Sequence, residues 1–153
     1  ASQRTDQRWT VIAYSYDNLR RPQSQKVTTL GGSTDGTVRS LTTKYDSLGR
    51  VSQLTSHGNQ TDDPDNTTDI ENQVVFTYND LGLVTKSEQA HSGAVGMSTP
   101  SVEYAYDTSA ASSVFDDGPR LESLTYPSGR ALFYDYGTAD ALADRLNVPE
   151  KLR

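Results

Sequence analysis

A tyrosine-aspartate element returns along this chain about every 30 residues, and this repeat constrains the fold more than any other feature. The clearest copies read YSYDNLRR from Tyr14, KYDSLGRV from Lys44 and TYNDLGLV from Thr77, and weaker copies read YAYDTS and FYDYG. The equivalent tyrosines are Tyr16, Tyr45, Tyr78, Tyr106 and Tyr136, at intervals of 29, 33, 28 and 30 residues. A near-constant period predicts that each repeat is one supersecondary unit that stacks on its neighbours.

Each tyrosine ends a run in which bulky and small or polar residues alternate. The bulky or moderately apolar positions are Ile12/Tyr14/Tyr16, Leu41/Thr43/Tyr45, Val74/Phe76/Tyr78, Val102/Tyr104/Tyr106 and Leu132/Tyr134/Tyr136. Alternation with a period of two predicts a β-strand with one buried face. We expect the tyrosines to stack across neighbouring strands on that face.

Turn-forming residues follow the tyrosines. The segment Asp46-Ser47-Leu48-Gly49 predicts a tight connection, because Asp bonds to nearby backbone groups and Gly accepts positive φ. Arg50 and Val51 then begin a return strand, and Pro127-Ser128-Gly129 predicts the tip of another hairpin. The sequence therefore predicts an all-β fold over residues 1–153, in which antiparallel hairpins form one curved or spiralling sheet.

The composition limits the classes of function. Hydrophobic residues are 33% of the chain, which suits a sheet with one wet face better than a helical globule. The net charge of −6, without a block of Lys or Arg, argues against a nucleic-acid partner, because binding to phosphates needs a clustered basic face. The chain has no Cys, so disulfides and thiolate metal sites are excluded. We expect neither a membrane span nor a signal peptide.

Three segments break the alternation. We interpret residues 56–72 and 90–100 as surface loops on the sheet, and the segment from Ser109 to Pro119 as a third. The tail from Thr138 to Leu146 has good helix formers, so a short C-terminal helix capped by Thr138 is expected there.

The repeated motif resembles the YD repeat of the RHS (rearrangement hotspot) family, which includes bacterial polymorphic toxins, subunits of insecticidal toxin complexes and the animal teneurins. The resemblance covers the chain from Trp9 to Gly137. It implies a long β-sheet that spirals into a hollow shell. In bacteria such shells enclose a toxic polypeptide, and in teneurins the equivalent barrel supports adhesion. The structural signature consists of Tyr16, Asp17, Tyr45, Asp46, Gly49, Arg50, Tyr78, Asn79, Gly82, Tyr106, Asp107 and Tyr136.

The chain departs from the family pattern at several positions. Arg20 or Arg21 stands where the first copy should have Gly, and Leu83 replaces the Arg of the third. The fourth copy lacks Gly-Arg after Asp107, and Gly118-Pro119-Arg120-Leu121 is a candidate for a displaced version. The last copy has Gly137 in place of Asp. The self-cleaving segment that ends many RHS shells is not evident, so autoproteolysis is not expected.

No catalytic, cofactor-binding or metal-binding residue is predicted. His57 and His91 lack an HxH or HExxH context, and we interpret both as solvated loop residues. The acidic residues between Asp62 and Glu71 fit a flexible solvated loop, or alternatively an irregular calcium loop. Asp17, Asp46 and Asp107 repeat with the fold, which is typical of turn residues, whereas the carboxylate pair of a glycosidase occurs once.

These observations predict a structural protein, not an enzyme. The expected function is that of a segment of a β-shell that encloses or presents another polypeptide. Its partners would be the remainder of a larger RHS-type polypeptide, neighbouring β-edges and an enclosed polypeptide, and its location would be secreted or at the surface of a bacterial cell. The alternative is a carbohydrate-binding or adhesion module, in which Trp9 and the tyrosine rows would stack on glycans. No cofactor is expected.

Overall fold

The structure, a computed structural model, describes residues 9–107, 119–137 and 149–153. In these residues it contains ten β-strands and no helix. The strands are β1 Val11–Tyr16, β2 Pro22–Thr29, β3 Ser40–Tyr45, β4 Val51–His57, β5 Ile70–Tyr78, β6 Val84–Ala90, β7 Ser101–Asp107, β8 Arg120–Thr125, β9 Ala131–Asp135 and β10 Lys151–Leu152.

The strands are neighbours in chain order in one antiparallel sheet. The predicted all-β fold of antiparallel hairpins is therefore confirmed. The helix expected between Thr138 and Leu146 lies outside the described residues. Among the residues that are described, no helix has the length and hydropathy needed to cross a membrane.

The chain divides into two compact units. Unit 1 takes in residues up to Phe76 together with Glu88–Thr99, and so contains β1 to β4 and most of β5. Unit 2 takes in Thr77–Ser87 and the residues from Pro100 onward, and so contains β7 to β10.

The register of unit 1 separates its side chains into two faces. Thr42 lies opposite both Ser24 and Thr55, and Ser40 lies opposite both Lys26 and His57. Directly opposite residues of an antiparallel pair share a face. One face, which we call the polar face, therefore carries Ser24, Lys26, Ser40, Thr42, Lys44, Thr55, His57 and Gln73. The other, the apolar face, carries Ile12, Tyr14, Val27, Leu41, Leu54 and Val74.

The polar face is the buried one. Six of the buried polar residues of the described chain lie on this face: Ser24, Ser40, Thr42, Thr55, His57 and Gln73. Of the other two, Thr61 lies in the loop after β4, and Ser56 lies opposite Leu41 on the apolar face. On the apolar face, by contrast, Ile12, Tyr14 and Leu41 are 46%, 61% and 47% exposed. The expectation that the bulky alternating residues form the buried face is therefore wrong for unit 1.

The physical reason is the loop between β4 and β5. Residues 58–69, which we call the covering loop, lie on the polar face, where Ser40 Oγ donates a hydrogen bond to the Asn59 carbonyl at 2.8 Å. The Asp62 carboxylate accepts from Ser24 Oγ at 2.6 Å and forms an ion pair with Lys26. A loop this rich in Asp, Asn and Thr finds its partners among hydroxyl and ammonium groups, because buried polar groups must be hydrogen-bonded.

The predicted loop boundaries also need correction. The interval 56–72 is a loop only over residues 58–69, because Ser56 and His57 end β4 and β5 begins at Ile70. Likewise the interval 90–100 loses Ala90, which ends β6 and is buried. The sequence indicates a loop at His57 because this residue lies on a polar face, so no apolar residue marks that end of the strand.

In unit 2 the apolar residues lie opposite one another. Tyr104 pairs with Leu124, and Leu124 pairs with Leu132 across the next strand. All three side chains are partly buried. Unit 2 therefore has a row of apolar cross-strand pairs, the arrangement that stabilises neighbouring strands.

Candidate functional site: the junction between neighbouring hairpins

Three turns of the repeat have the same backbone geometry. In the second repeat the Gly49 amide donates to the Asp46 carbonyl at 3.0 Å, and the Asp46 amide donates to the Arg50 carbonyl at 2.9 Å. The turns that begin at Asp17 and Asn79 contain the same two bonds. This is a type I turn followed by a left-handed residue, a common hairpin connection. The repeat motif therefore encodes one turn, used three times, and the turn from Tyr126 to Arg130 contains the same two bonds without the acidic residue.

The fourth residue of each turn has positive φ. Gly49 and Gly82 adopt φ values of 84° and 83°. In the first turn this position is held by Arg20, with φ 61°. Arg20 is thus the residue that replaces the expected glycine, and Arg21 is the counterpart of Arg50. A non-glycine residue in this region is strained, since its Cβ approaches the backbone.

The acidic residue of the motif holds both the turn and the arginine. Asp46 Oδ1 accepts hydrogen bonds from the amides of Leu48 and Arg50, each at 2.9 Å. Its Oδ2 accepts from Arg50 Nε at 2.6 Å. Asp17 makes the same three contacts with Leu19 and Arg21. The Asp and the Arg of the motif are therefore one device, in which the carboxylate orients the guanidinium.

The third turn keeps the backbone part of this device without the ion pair. Asn79 Oδ1 accepts from the amides of Leu81 and Leu83 at 3.1 and 2.9 Å. An amide oxygen satisfies the same two donors as a carboxylate, and Leu83 supplies no guanidinium that would need a charge. Asn and Leu thus occur together where Asp and Arg are both replaced.

The turn carboxylates are held in their ionised form. Partial burial acts to raise the pKa of Asp46, but hydrogen bonds from Arg50 and Leu48 outweigh it and keep this pKa below its ordinary value of 3.8. The corresponding bonds from Arg21 and Leu19 lower the pKa of Asp17 against the same effect of burial.

The arginine reaches the next hairpin. The Arg21 guanidinium carbon lies 4.0 Å from the centre of the Tyr45 ring, within the range of a cation–π interaction. The Tyr45 hydroxyl donates to the Pro22 carbonyl at 2.8 Å. Arg21 Nη1 also lies close to the next turn, 3.1 Å from where a Cβ at Gly49 would stand. The first hairpin therefore contacts the second through the side chains that define the motif.

The same junction recurs in unit 2. Tyr136 donates to the Leu121 carbonyl at 3.1 Å, and the Arg120 guanidinium carbon lies 5.2 Å from its ring. Arg120 and Leu121 thus make the contacts that Arg21 and Pro22 make in unit 1. Tyr106 donates to the Val84 carbonyl at 3.0 Å, which gives the same tyrosine contact after a turn without arginine.

Burial at these junctions affects the tyrosines. Burial, reinforced by Tyr104, raises the pKa of Tyr106 above its ordinary value of 10.0. Burial also raises the pKa of Tyr136, although the Arg120 charge opposes the change. Both phenols are therefore neutral hydrogen-bond donors at physiological pH.

The first tyrosine of the series has no such junction among the described residues. Tyr16 occupies the position of Tyr45 but is 61% exposed. It lies at the end of β1, the strand that begins the sheet order. The Tyr16 side chain is therefore exposed at this edge of the described sheet.

The two histidines differ, and the prediction for His57 is wrong. His57 is fully buried at the end of β4, where its Nε2 lies 3.0 Å from Thr42 Oγ1 and its Nδ1 lies 3.3 Å from the Thr68 carbonyl oxygen. It helps to attach the covering loop. His91 is exposed in the loop after β6.

The acidic residues of the covering loop pair with lysines of the sheet. Asp62 binds Lys26, and Asp65 binds Lys44. The Lys26 ammonium, followed by the Ser24 hydroxyl, lowers the pKa of Asp62 below 3.8 against the effect of burial. No group of three or more His, Asp or Glu in the described residues is arranged to hold a metal ion.

Sequence reasoning found the motif residues but missed their contacts. The tyrosine-to-carbonyl bonds have no signal of their own, because any residue supplies a carbonyl. The lysine partners of the loop left a weak signal, since Lys26 and Lys44 occupy alternating strand positions and an acidic run follows in the same chain. Comparison with protein-family models and with curated proteins found no match to this chain.

Proposed function

We propose that this chain is a structural segment of an RHS-type β-shell that encloses or presents another polypeptide. The observation that carries the proposal is the repeated junction, in which a tyrosine of one hairpin binds a carbonyl of the hairpin before it. A contact that recurs at three hairpin junctions extends a sheet one unit at a time, as in other repeat proteins. The open Tyr16 position is where a preceding hairpin would add.

The proposed contact surface for the enclosed polypeptide is the apolar face of unit 1. Leu41, Leu54 and Tyr14 are each more than two-fifths exposed there. Exposed apolar patches of this kind are typical of surfaces that bind another chain. An unfolded polypeptide would cover them without needing a defined shape.

The test measures binding of the full chain to a reduced and alkylated, permanently unfolded test protein by fluorescence anisotropy. Leu41→Ser should weaken binding severalfold, because it removes an apolar contact from the face. Leu48→Ser is the matched control, since Leu48 is 71% exposed on a turn and should have no effect. Absence of binding by the parent chain, or equal effects of the two variants, would refute the assignment of this face.

A second candidate is a carbohydrate-binding or adhesion module. Trp9, Tyr14 and Tyr16 are 77%, 61% and 61% exposed, and they lie on or next to one strand. Exposed aromatic rings that packing does not require are what stacking on sugars needs. A glycan array with the parent chain and Trp9→Ala tests it: retention that depends on Trp9, without binding of unfolded protein, would favour this candidate over the shell.

A further inference from the structure

A small cleft opens between β1, β2 and β3 of unit 1. Its volume is about 120 Å³, and Ile12, Val27, Val38 and Leu41 form its apolar walls around Arg39. This is smaller than the ~150 Å³ cavity that accepts a benzene molecule. It is well below the roughly 300–1,000 Å³ of sites for whole small-molecule ligands. The cleft therefore fits one side chain.

Arg39 is a partly buried cation without a carboxylate partner in the described part of the chain. Three comparable cations of unit 1 are paired: Arg21 with Asp17, Lys26 with Asp62, and Arg50 with Asp46. Arg39 Nε is buried and has no hydrogen-bond partner, and Nη2 reaches only the Val27 carbonyl at 3.4 Å. An unpaired charge among apolar side chains is costly, so an anion that enters the cleft would be stabilised.

The backbone holds Arg39 in place from both sides. Its amide donates to the His57 carbonyl at 2.7 Å, and its carbonyl accepts from the Val27 amide at 2.8 Å. The backbone from which the Arg39 side chain extends is thus already fixed in the sheet, so binding would not have to order it.

We propose that the Arg39 cleft is a subsite that takes a carboxylate side chain of a bound polypeptide. Guanidinium groups bind carboxylates through charge-assisted hydrogen bonds, and the apolar walls accept the methylene groups of the same side chain. This inference rests on the proposed function of the apolar face and adds a preference, namely for segments in which an acidic residue is flanked by apolar residues.

The experiment uses the full chain and two short acetylated, amidated peptides in which valines alternate with serines. One peptide has a central Glu and the other a central Gln, and binding is measured by isothermal titration calorimetry. The parent chain should bind the Glu peptide about tenfold more tightly, the effect expected of one charge-assisted hydrogen-bonded pair. Arg39→Gln should abolish the difference, and Arg39→Lys should restore part of it. Arg130→Gln, at an exposed arginine of a turn in unit 2, is the control and should leave it unchanged. Circular dichroism verifies that each variant is folded.

The outcomes separate this inference from the proposed function. Equal binding of both peptides to the parent chain would overturn the subsite while supporting a polypeptide-binding face. A preference for Glu that survives in Arg39→Gln would also overturn it, since the charge would then act elsewhere. Failure of both peptides to bind, while the unfolded test protein binds through Leu41, would overturn the subsite alone. Failure of all three ligands would overturn both.

Discussion

Removal of the Tyr45 hydroxyl tests whether the junction stabilises the sheet. Tyr45→Phe deletes the donor to the Pro22 carbonyl and keeps the ring beneath Arg21. An intramolecular hydrogen bond contributes roughly 0.5–1.5 kcal/mol net to the free energy of unfolding. Because this bond is exposed to solvent, the lower part of that range applies, about 0.5–1 kcal/mol.

Tyr16→Phe is the matched control. Tyr16 occupies the same position of the repeat, but it is 61% exposed and its hydroxyl has no partner among the described residues. We expect its free energy of unfolding to change by less than about 0.5 kcal/mol, as for ordinary surface substitutions. The two variants change the same atom at equivalent positions, so their difference isolates the junction.

Urea unfolding followed by circular dichroism provides the measurement. With a denaturant slope of about 2 kcal/mol/M, Tyr45→Phe should lower the midpoint by roughly 0.25–0.5 M. Tyr45→Leu should lower it further, because the cation–π contact with Arg21 is worth about 0.5–1 kcal/mol at an exposed site. Equal midpoints for Tyr45→Phe and Tyr16→Phe would refute the reasoning that the hydroxyl joins the hairpins.

Three further perturbations address the turn, the buried histidine and the ionised carboxylates. Gly49→Ala should destabilise the chain by about 1–2 kcal/mol, because alanine is strained at the positive φ of this residue. Gly129→Ala should destabilise it less, since Gly129 has a similar φ but no atom lies near the place where a Cβ would stand. Thermal unfolding measures both, and equal losses would contradict the contact between Gly49 and Arg21. His57→Ala should cost about 2–4 kcal/mol, because it removes a fully buried side chain and leaves the buried Thr42 hydroxyl without its partner. His91→Ala should be neutral, and hydrogen exchange of the covering loop should rise only in His57→Ala. The pKa of Asp46 is lower in the folded chain than its ordinary value of 3.8. The ionised carboxylate therefore stabilises the fold above pH 3.8, and this stabilisation is lost as the pH falls through the pKa of the folded state. A series of urea midpoints that stays flat down to pH 2 would contradict this.

The sequence predicts those residues of the candidate site whose hydrogen-bond partners lie nearby in the chain. Asp46 and Gly49 can be assigned to a turn from the sequence, because their roles depend on backbone groups within four residues of each. The role of Arg50 is visible only through its spacing from Asp46, and that of Tyr45 is not visible at all. The acceptor of the Tyr45 hydroxyl lies 23 residues earlier in the chain, so it is defined by how strands pair.

The sequence by itself determined the strands, the turns and the period of the repeat. Alternation of side chains and the conformational needs of Asp and Gly are short-range properties, and each is written in a few consecutive residues. Only the tertiary structure decided which face of unit 1 is buried. The alternation of side chains indicates that the two faces of a strand differ in polarity, and the apolar face is ordinarily the buried one. In unit 1, however, the covering loop carries polar groups that bind the polar face. Asp62 binds Ser24 and Lys26, and the loop that carries it therefore covers the polar face and leaves Leu41 and Tyr14 exposed. The sequence does not show this pairing, because the partners lie far apart in the chain and meet only when the strands and the loop are placed in space.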